Sequence, residues 1–295
     1  MLKRTLVFSN PINLSLKNRQ MVIAYKDTPE EKVTVPIEDV GVVVLEHQQI
    51  SITLPLINAL TDDNVQLVIC NEKGLPHSML LNLDTNVTQG QTLRNQINAG
   101  EVLKKQLWKQ IIEIKIRNQA NLLNKIGSNG DILKPFYSNV KSGDTDNREG
   151  IAARMYFQEL FGNSFVRDRN EPGINALLNY GYTILRAAVA RALVSSGLFP
   201  ALGIYHHNRS NAFPLADDIM EPYRPYVDEI VYDLSMQGKM ELTKDVKADL
   251  ISVLYADTSF EKVVRPLSVG LSLTTSSLAK CYAKEENKIK LPMMQ

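Results

Sequence analysis

The hydrophobic period of this 295-residue chain changes once, near Gly90, and the change rules out both an all-α and an all-β fold. Before it, brief β-branched runs such as Arg4–Phe8, Gln20–Tyr25, Lys32–Ile37 and Gly41–Leu45 read as strands, with turns at Ser9-Asn10-Pro11 and Asp27-Thr28-Pro29. Val33, Val35 and Ile37 alternate with Lys32 and Thr34, as on a half-buried strand. A short helix starting near Pro55 fits Leu56, Ile57 and Leu60, and Val65–Cys70 reads as a buried strand. After Gly90, Leu103, Leu107, Ile111, Ile114 and Asn118 fall on one helical stripe, with Lys104, Lys105, Lys109 and Lys115 largely off it.

The expected fold class is therefore α+β: a β-rich domain over 1–85, a polar linker over 86–92 and a larger all-α domain over 93–295. A polar stretch, Gly127 to Arg148, reads as a loop between helices. Pro172 and Gly197 bracket a helix carrying Ile174, Leu177, Leu178, Leu185, Ala188 and Val189. Further helices are expected over Leu215–Leu234, Thr243–Tyr255 and Glu261–Tyr282.

No apolar run approaches the roughly 20 residues that span a bilayer, and Met1–Ser9 has no long apolar stretch behind Lys3 and Arg4. No membrane partner and no signal peptide is expected. Cys70 and Cys281 are too few for a disulfide framework or a cysteine zinc site, which points to a reducing cytoplasm. The formal charge of +1 argues mildly against a strongly basic nucleic-acid protein, but its distribution is uneven. Residues 94–125 hold Arg94, Lys104, Lys105, Lys109, Lys115, Arg117 and Lys125 against only Glu101 and Glu113. Such a run is either a solvated helix face or a surface for phosphates.

No phosphate loop, dinucleotide fingerprint, nucleophile elbow or His-Glu-x-x-His motif occurs. Two of the four histidines are adjacent, His206 and His207, after the loop signal Phe199-Pro200. Glu221 follows fifteen residues beyond His206, and on a helix Asp217 and Asp218 would share a face with it. Arg224 at i+3 would offset that charge as a plain ion pair. Carboxylates with one imidazole otherwise suit a hard divalent ion such as Mg²⁺ or Mn²⁺. Glu149 opens a helix after the polar loop, where an acid also complements the macrodipole.

The string Ile174-Asn175-Ala176-Leu177-Leu178-Asn179-Tyr180-Gly181-Tyr182, with Leu185-Arg186-Ala187 and the His206 and Asp217–Pro225 segments, resembles the CRISPR adaptation integrases. These are the universal first-numbered CRISPR-associated proteins, and the likeness is closest to type II members. It extends over Glu149-Gly150 with Ala153-Arg154, over Leu107–Ile111 and Lys115–Gln119, and more loosely over the first 85 residues. The resemblance implies an N-terminal β and a C-terminal α domain, and a metal-dependent DNA integrase and endonuclease. It implies a homodimer that joins a small dimeric partner protein in a four-plus-two assembly and inserts prespacer DNA into the repeat array.

It further implies that Glu149, His206 and Glu221 hold Mg²⁺ or Mn²⁺, with Asp218 and His207 as auxiliary candidates. Many relatives outside type II carry Asp where this chain has Glu221. Lys115, Arg167, Arg169, Arg209 and Arg224 become candidates for DNA contact. Two other readings stand beside this one: a general metal-dependent nuclease of repair, and a structural DNA-binding subunit with a silent site.

Overall fold

The computed structural model describes residues 3–80, 86–168, 170–209, 211–261 and 263–295. The chain divides into two compact units, Met1–Thr85 and Asn86–Gln295.

The first unit is strand-rich, as its short β-branched runs require. β1 (Arg4–Phe8), β5 (Val40–Leu45), β7 (Gln66–Cys70) and β8 (Pro76–Leu80) form one sheet in the order β1-β5-β7-β8. The second sheet has the order β4-β3-β2-β6, from β2 (Ile12–Lys17), β3 (Gln20–Tyr25), β4 (Lys32–Pro36) and β6 (Ser51–Ile52). β5 lies between parallel neighbours and is buried along its whole length, which explains its unbroken Val-Val-Val-Leu run. β2 and β3 pair with Lys17 opposite Gln20, and the two intervening residues, Asn18 and Arg19, take positive φ. That is the two-residue hairpin geometry that matches strand twist. Helix α1 (Leu54–Asp62), with Pro55 in its first turn, adds Leu56 and Leu60 to a core of Ile12, Leu14, Met21 and Val43.

The second unit is built around α3 (Glu101–Lys125), preceded by α2 (Gln89–Ile97). It continues with α4 (Lys134–Tyr137), α5 (Arg148–Phe161), α6 (Ile174–Ser195), α7 (Pro214–Met220), α8 (Arg224–Met236) and α9 (Lys244–Ile251). β9 (Asp257–Phe260), β10 (Val263–Pro266) and α10 (Leu267–Tyr282) complete it. Helix α3 packs against α5, α7, α8 and a tight 3-10 turn at Glu221–Tyr223. It buries Leu107, Trp108, Ile111, Ile112, Ile116, Leu122 and Leu123. Helix α6 packs on α8 at Gly181, where any Cβ would collide with Val227.

Several expectations need correction. The polar stretch 86–92 is not a linker throughout: Asn86 Oδ1 accepts from Thr88 N and Thr88 Oγ1, a local turn that leads into α2 at Gln89. The second unit is not all-α, because β9 and β10 form a hairpin through a turn at Glu261, which has positive φ. β-branched Val263 and Val264 favour pairing there, so the last helix begins at Leu267 rather than Glu261. The helix expected over Leu215–Leu234 tightens into a 3-10 turn at Glu221–Tyr223, where Pro222 and Pro225 remove two backbone donors. The 127–148 stretch carries short helical turns, including α4, within its irregular path.

Asn118 connects this framework to the turn that carries Glu221. It is fully buried; its Nδ2 donates to the carbonyls of Pro222 (2.8 Å) and Pro292 (3.0 Å), and its Oδ1 accepts from Met294 N (2.9 Å). Asn118→Ala would leave those backbone groups unpaired. The substitution is expected to cost about 2–4 kcal/mol in urea unfolding; a loss below about 1 kcal/mol would mean that water replaces the amide.

Candidate functional site

Glu149 enters the site through the first turn of α5. The backbone N–H groups of Arg148 and Glu149 both donate to the Asp144 carboxylate, at 2.9 and 3.1 Å, which satisfies two otherwise open donors of the helix start. Glu221 arrives from the 3-10 turn that Asn118 holds against α3. Between the two carboxylates stands Lys115. Its Nζ forms an ion pair with Glu149 and lies 2.6 Å from Glu221 Oε2, and its side chain is 7% exposed. Arg224 Nε lies 2.9 Å from the other Glu221 oxygen. Burial alone would raise the Glu221 carboxyl, but the charges of Arg224 and Lys115 override it and hold the group at about 2. Burial likewise works against the Lys115 ammonium, and the two glutamates more than compensate, so it stays protonated.

His206 lies in the loop before α7, and Asp218 of α7 fixes that loop. Asp218 is completely buried and accepts from the backbone N–H groups of Ile204 (2.6 Å), Tyr205 (3.1 Å) and His206 (3.2 Å). Its Oδ1 also lies 2.6 Å from His206 Nδ1. A carboxylate can only accept, so Nδ1 carries the proton and Nε2 is left as the ring nitrogen with a lone pair. This hydrogen bond raises the imidazole pKa despite partial burial. Gly203 is required by the same packing, because a Cβ there would strike the His206 carbonyl. Trp108 of α3 stacks on Tyr205 at 4.3 Å and meets His206 edge-on at 5.7 Å.

Glu149, His206 and Glu221 all line one cleft of about 1100 Å³, together with Lys115, Arg224 and Asp228. Among the described residues, no three His, Cys, Asp or Glu side chains are gathered into a ready metal cage. The donor set nevertheless suits a hard cation: two carboxylates are already organised around one positive charge, and Asp218 fixes the imidazole's tautomer.

The other candidates are dispersed. Asp217, expected on the face of Glu221, instead pairs with Arg186 at 2.7 Å and accepts from Asn211 at 2.6 Å, because α7 is a short helix whose acids diverge. Lys115 and Arg224 are engaged with carboxylates rather than presented to solvent. Arg167 donates to Asn175 (2.8 Å) and Asn179 (2.6 Å). His207 and Arg209 are exposed, and Arg169 lies outside the described residues.

Sequence reasoning missed two features. Lys115, taken as off the stripe, lies four residues after Ile111 and thus on the buried face of α3; that spacing was the available signal. Asp228, fully enclosed in α8, accepts hydrogen bonds from Tyr156 (2.8 Å) and Tyr182. Burial pushes its carboxyl up to about 6, against the pull of both phenols.

A strand-rich unit followed by a helical unit is a fold this chain shares with proteins of known structure. The structure of a casposase bound to its integration product superposes with a TM-score of 0.79 at 22% identity, over 98% of this chain and 93% of that one. A Cas6-RT-Cas1–Cas2 complex gives a TM-score of 0.74 at 20% identity, over 98% of this chain and 36% of that one. The family model for CRISPR associated protein Cas1 matches residues 5–268, and the CRISPR-associated endonuclease Cas1 of Neisseria meningitidis is 40% identical over 98% of this chain and 95% of its own length. The chain belongs to the Cas1 family.

Two measurements check this geometry. Asp218→Asn would weaken the tie to His206 and loosen the loop, so emission from Trp108, the single tryptophan, is expected to shift to the red. An unchanged spectrum would mean that Asp218 does not hold the loop. Asp228 releases its proton at about 6 when folded and near 3.8 when unfolded. The folded state therefore binds the extra proton, and stability falls as pH rises between those values. Relative to wild type, Asp228→Asn is expected to gain up to about 3 kcal/mol from pH 4 to pH 7 in urea midpoints. A difference that stays flat across that range would show an ordinary carboxyl.

Proposed function

We propose that this protein is a metal-dependent DNA integrase and endonuclease of CRISPR adaptation, which inserts prespacer DNA into the repeat array. Family membership supports the endonuclease class, and the observation that carries the chemistry is the convergence of Glu149, His206 and Glu221 on one cleft. In this reading those three side chains hold Mg²⁺ or Mn²⁺. A bound divalent ion would supply charge stabilisation for the phosphodiester under attack and would activate the incoming oxygen.

The chain's own residues do the rest. Asp218 holds His206 so that Nε2 keeps its lone pair. Arg224 keeps Glu221 ionised and fixed in orientation. Asp144 and α5 set Glu149 on a rigid helix start. The reaction is a transesterification: the prespacer 3′-oxygen bonds to a phosphorus of the repeat strand as the bond to that strand's own 3′-oxygen breaks. No covalent protein–DNA link forms, so no serine or tyrosine nucleophile is needed. Water in place of the 3′-OH gives cleavage at the same site.

The working form is a homodimer, paired as two dimers with a small dimeric partner. The Cas1–Cas2 complex among the structural neighbours supports a Cas2-type partner. A strand-joining assay tests the reading, using a labelled short duplex, a plasmid bearing a repeat array, Mg²⁺ or Mn²⁺ and the small partner. Joined product is expected from the wild type, abolished by EDTA and reduced more than about a hundredfold in Glu149→Ala and in His206→Ala. Cutting without joining would move the protein to the general nucleases; binding with neither activity would leave a structural subunit.

A further inference from the structure

The two carboxylates assigned to the metal are already bridged by an ammonium. Lys115 forms an ion pair with Glu149 and lies 2.6 Å from Glu221 Oε2, deep inside the cleft wall. We propose that Lys115 is a resident counter-cation that competes with the divalent ion for Glu149 and Glu221 and swings aside when the ion loads. The inference rests on the metal trio of the preceding subsection and adds a specific antagonist to it.

Three observations support an exchange rather than a fixed bridge. A divalent ion bound by the same carboxylates would, with Lys115 and Arg224 in place, bring four positive charges into one low-dielectric pocket, where like-charge repulsion is strong. Glu221 Oε2 is buried and, although close to the ammonium, receives no properly directed hydrogen bond among the described residues. That contact, 2.6 Å long, is held by opposite charge more than by direction. Finally, an alternative acceptor is at hand. Gln119 lies one turn further along α3 and lines the same cleft, and its buried Oε1 accepts no hydrogen bond among the described residues. A lysine can turn its four-carbon stem toward a side chain at i+4 while the helix stays in place.

Exchange would leave the carboxylates compensated at every stage. Before loading, Lys115 and Arg224 balance Glu149 and Glu221. After loading, the ion takes over that role and the ammonium pairs with the Gln119 carbonyl. Lys115 is thus a positioning residue that sets metal affinity.

Mn²⁺ alone would be titrated into the full chain as wild type, Lys115→Met, Lys115→Arg and Glu149→Ala, by calorimetry and by quenching of Trp108, which lies against His206. Lys115→Met is expected to bind Mn²⁺ about tenfold more tightly than wild type, whereas Lys115→Arg, which keeps the charge, is expected to bind no more tightly. A lysine that served packing alone, with no charge felt by the ion, would not produce tighter binding when removed. Equal or weaker binding by Lys115→Met, with wild-type binding lost in Glu149→Ala, would overturn the exchange and leave the metal trio intact. Absence of Glu149-dependent binding in every variant would remove the trio and the exchange together. Lys115→Gln carries the same comparison should Lys115→Met fail to fold.

Discussion

A buried ammonium on α3 sets the geometry on which the site depends. Lys115 draws the start of α5 and the turn after α7 onto one helix, and Arg224 completes a group of two carboxylates and two cations. Removing one member of such a buried group leaves a charge without a partner, at a typical cost of about 3–5 kcal/mol. The helix packing and the spacing of the carboxylates are therefore one constraint. α3 cannot shift along its axis without separating the charges, whereas the flexible Lys115 stem can turn within the cleft while the helix stays in place.

The same helix accepts an unusual polar load for a buried element. Asn118 and Gln119 follow Lys115 on the enclosed side, and Asn118 uses its amide fully. Those bonds reach in two directions, to the Glu221 turn and to the C-terminal segment at Pro292 and Met294. Asn121 Nδ2 donates to the Met294 carbonyl at 2.7 Å, and Gln110 is bonded to Asn287 and Ile289. The end of the chain thus straps α3 from Gln110 to Asn121. An apolar α3 would pack as densely, but it would not specify which carbonyls meet it, and the register of Glu221 against Lys115 would be lost.

How much of this the sequence disclosed follows from the range of each interaction. The β-to-α change near Gly90 was legible because periodicity is local, and so were the start of α1 at Pro55 and the helix between Pro172 and Gly197. The β9–β10 hairpin was hidden because four-residue strands carry too few alternations to compete with a helical pattern. Glu149, His206 and Glu221 were named as a trio through resemblance and line one cleft, and the tie from Asp218 to His206 is consistent with its short separation along the chain. Lys115 was named as a candidate for DNA contact, but its pairing with the two glutamates was not found. The lysine is 34 residues from Glu149, and its pairing depends on helix packing that local spacing does not encode. The divergence of Asp217 from Glu221 had the same origin: their spacing described an unbroken helix, and two prolines had broken it.

Charge counting fails here for a related physical reason. The formal sum of +1 suggests little affinity for phosphates, and the basic run over residues 94–125 suggests much. Neither distinguishes a cation committed to the fold from one able to change partners. Lys115 and Arg224 belong to the buried group, Arg186 is paired with Asp217, and Arg117 is paired with Glu113 at 3.1 Å. Any of these can serve a phosphate only by giving up a carboxylate in a partly dry environment, which costs more than releasing a hydrated counterion at the surface. Exposed cations such as Arg154 and Arg209 face no such cost. In the proposed reading, attraction of DNA would fall first to exposed cations such as Arg154 at the cleft, while the inner cations keep Glu221 ionised.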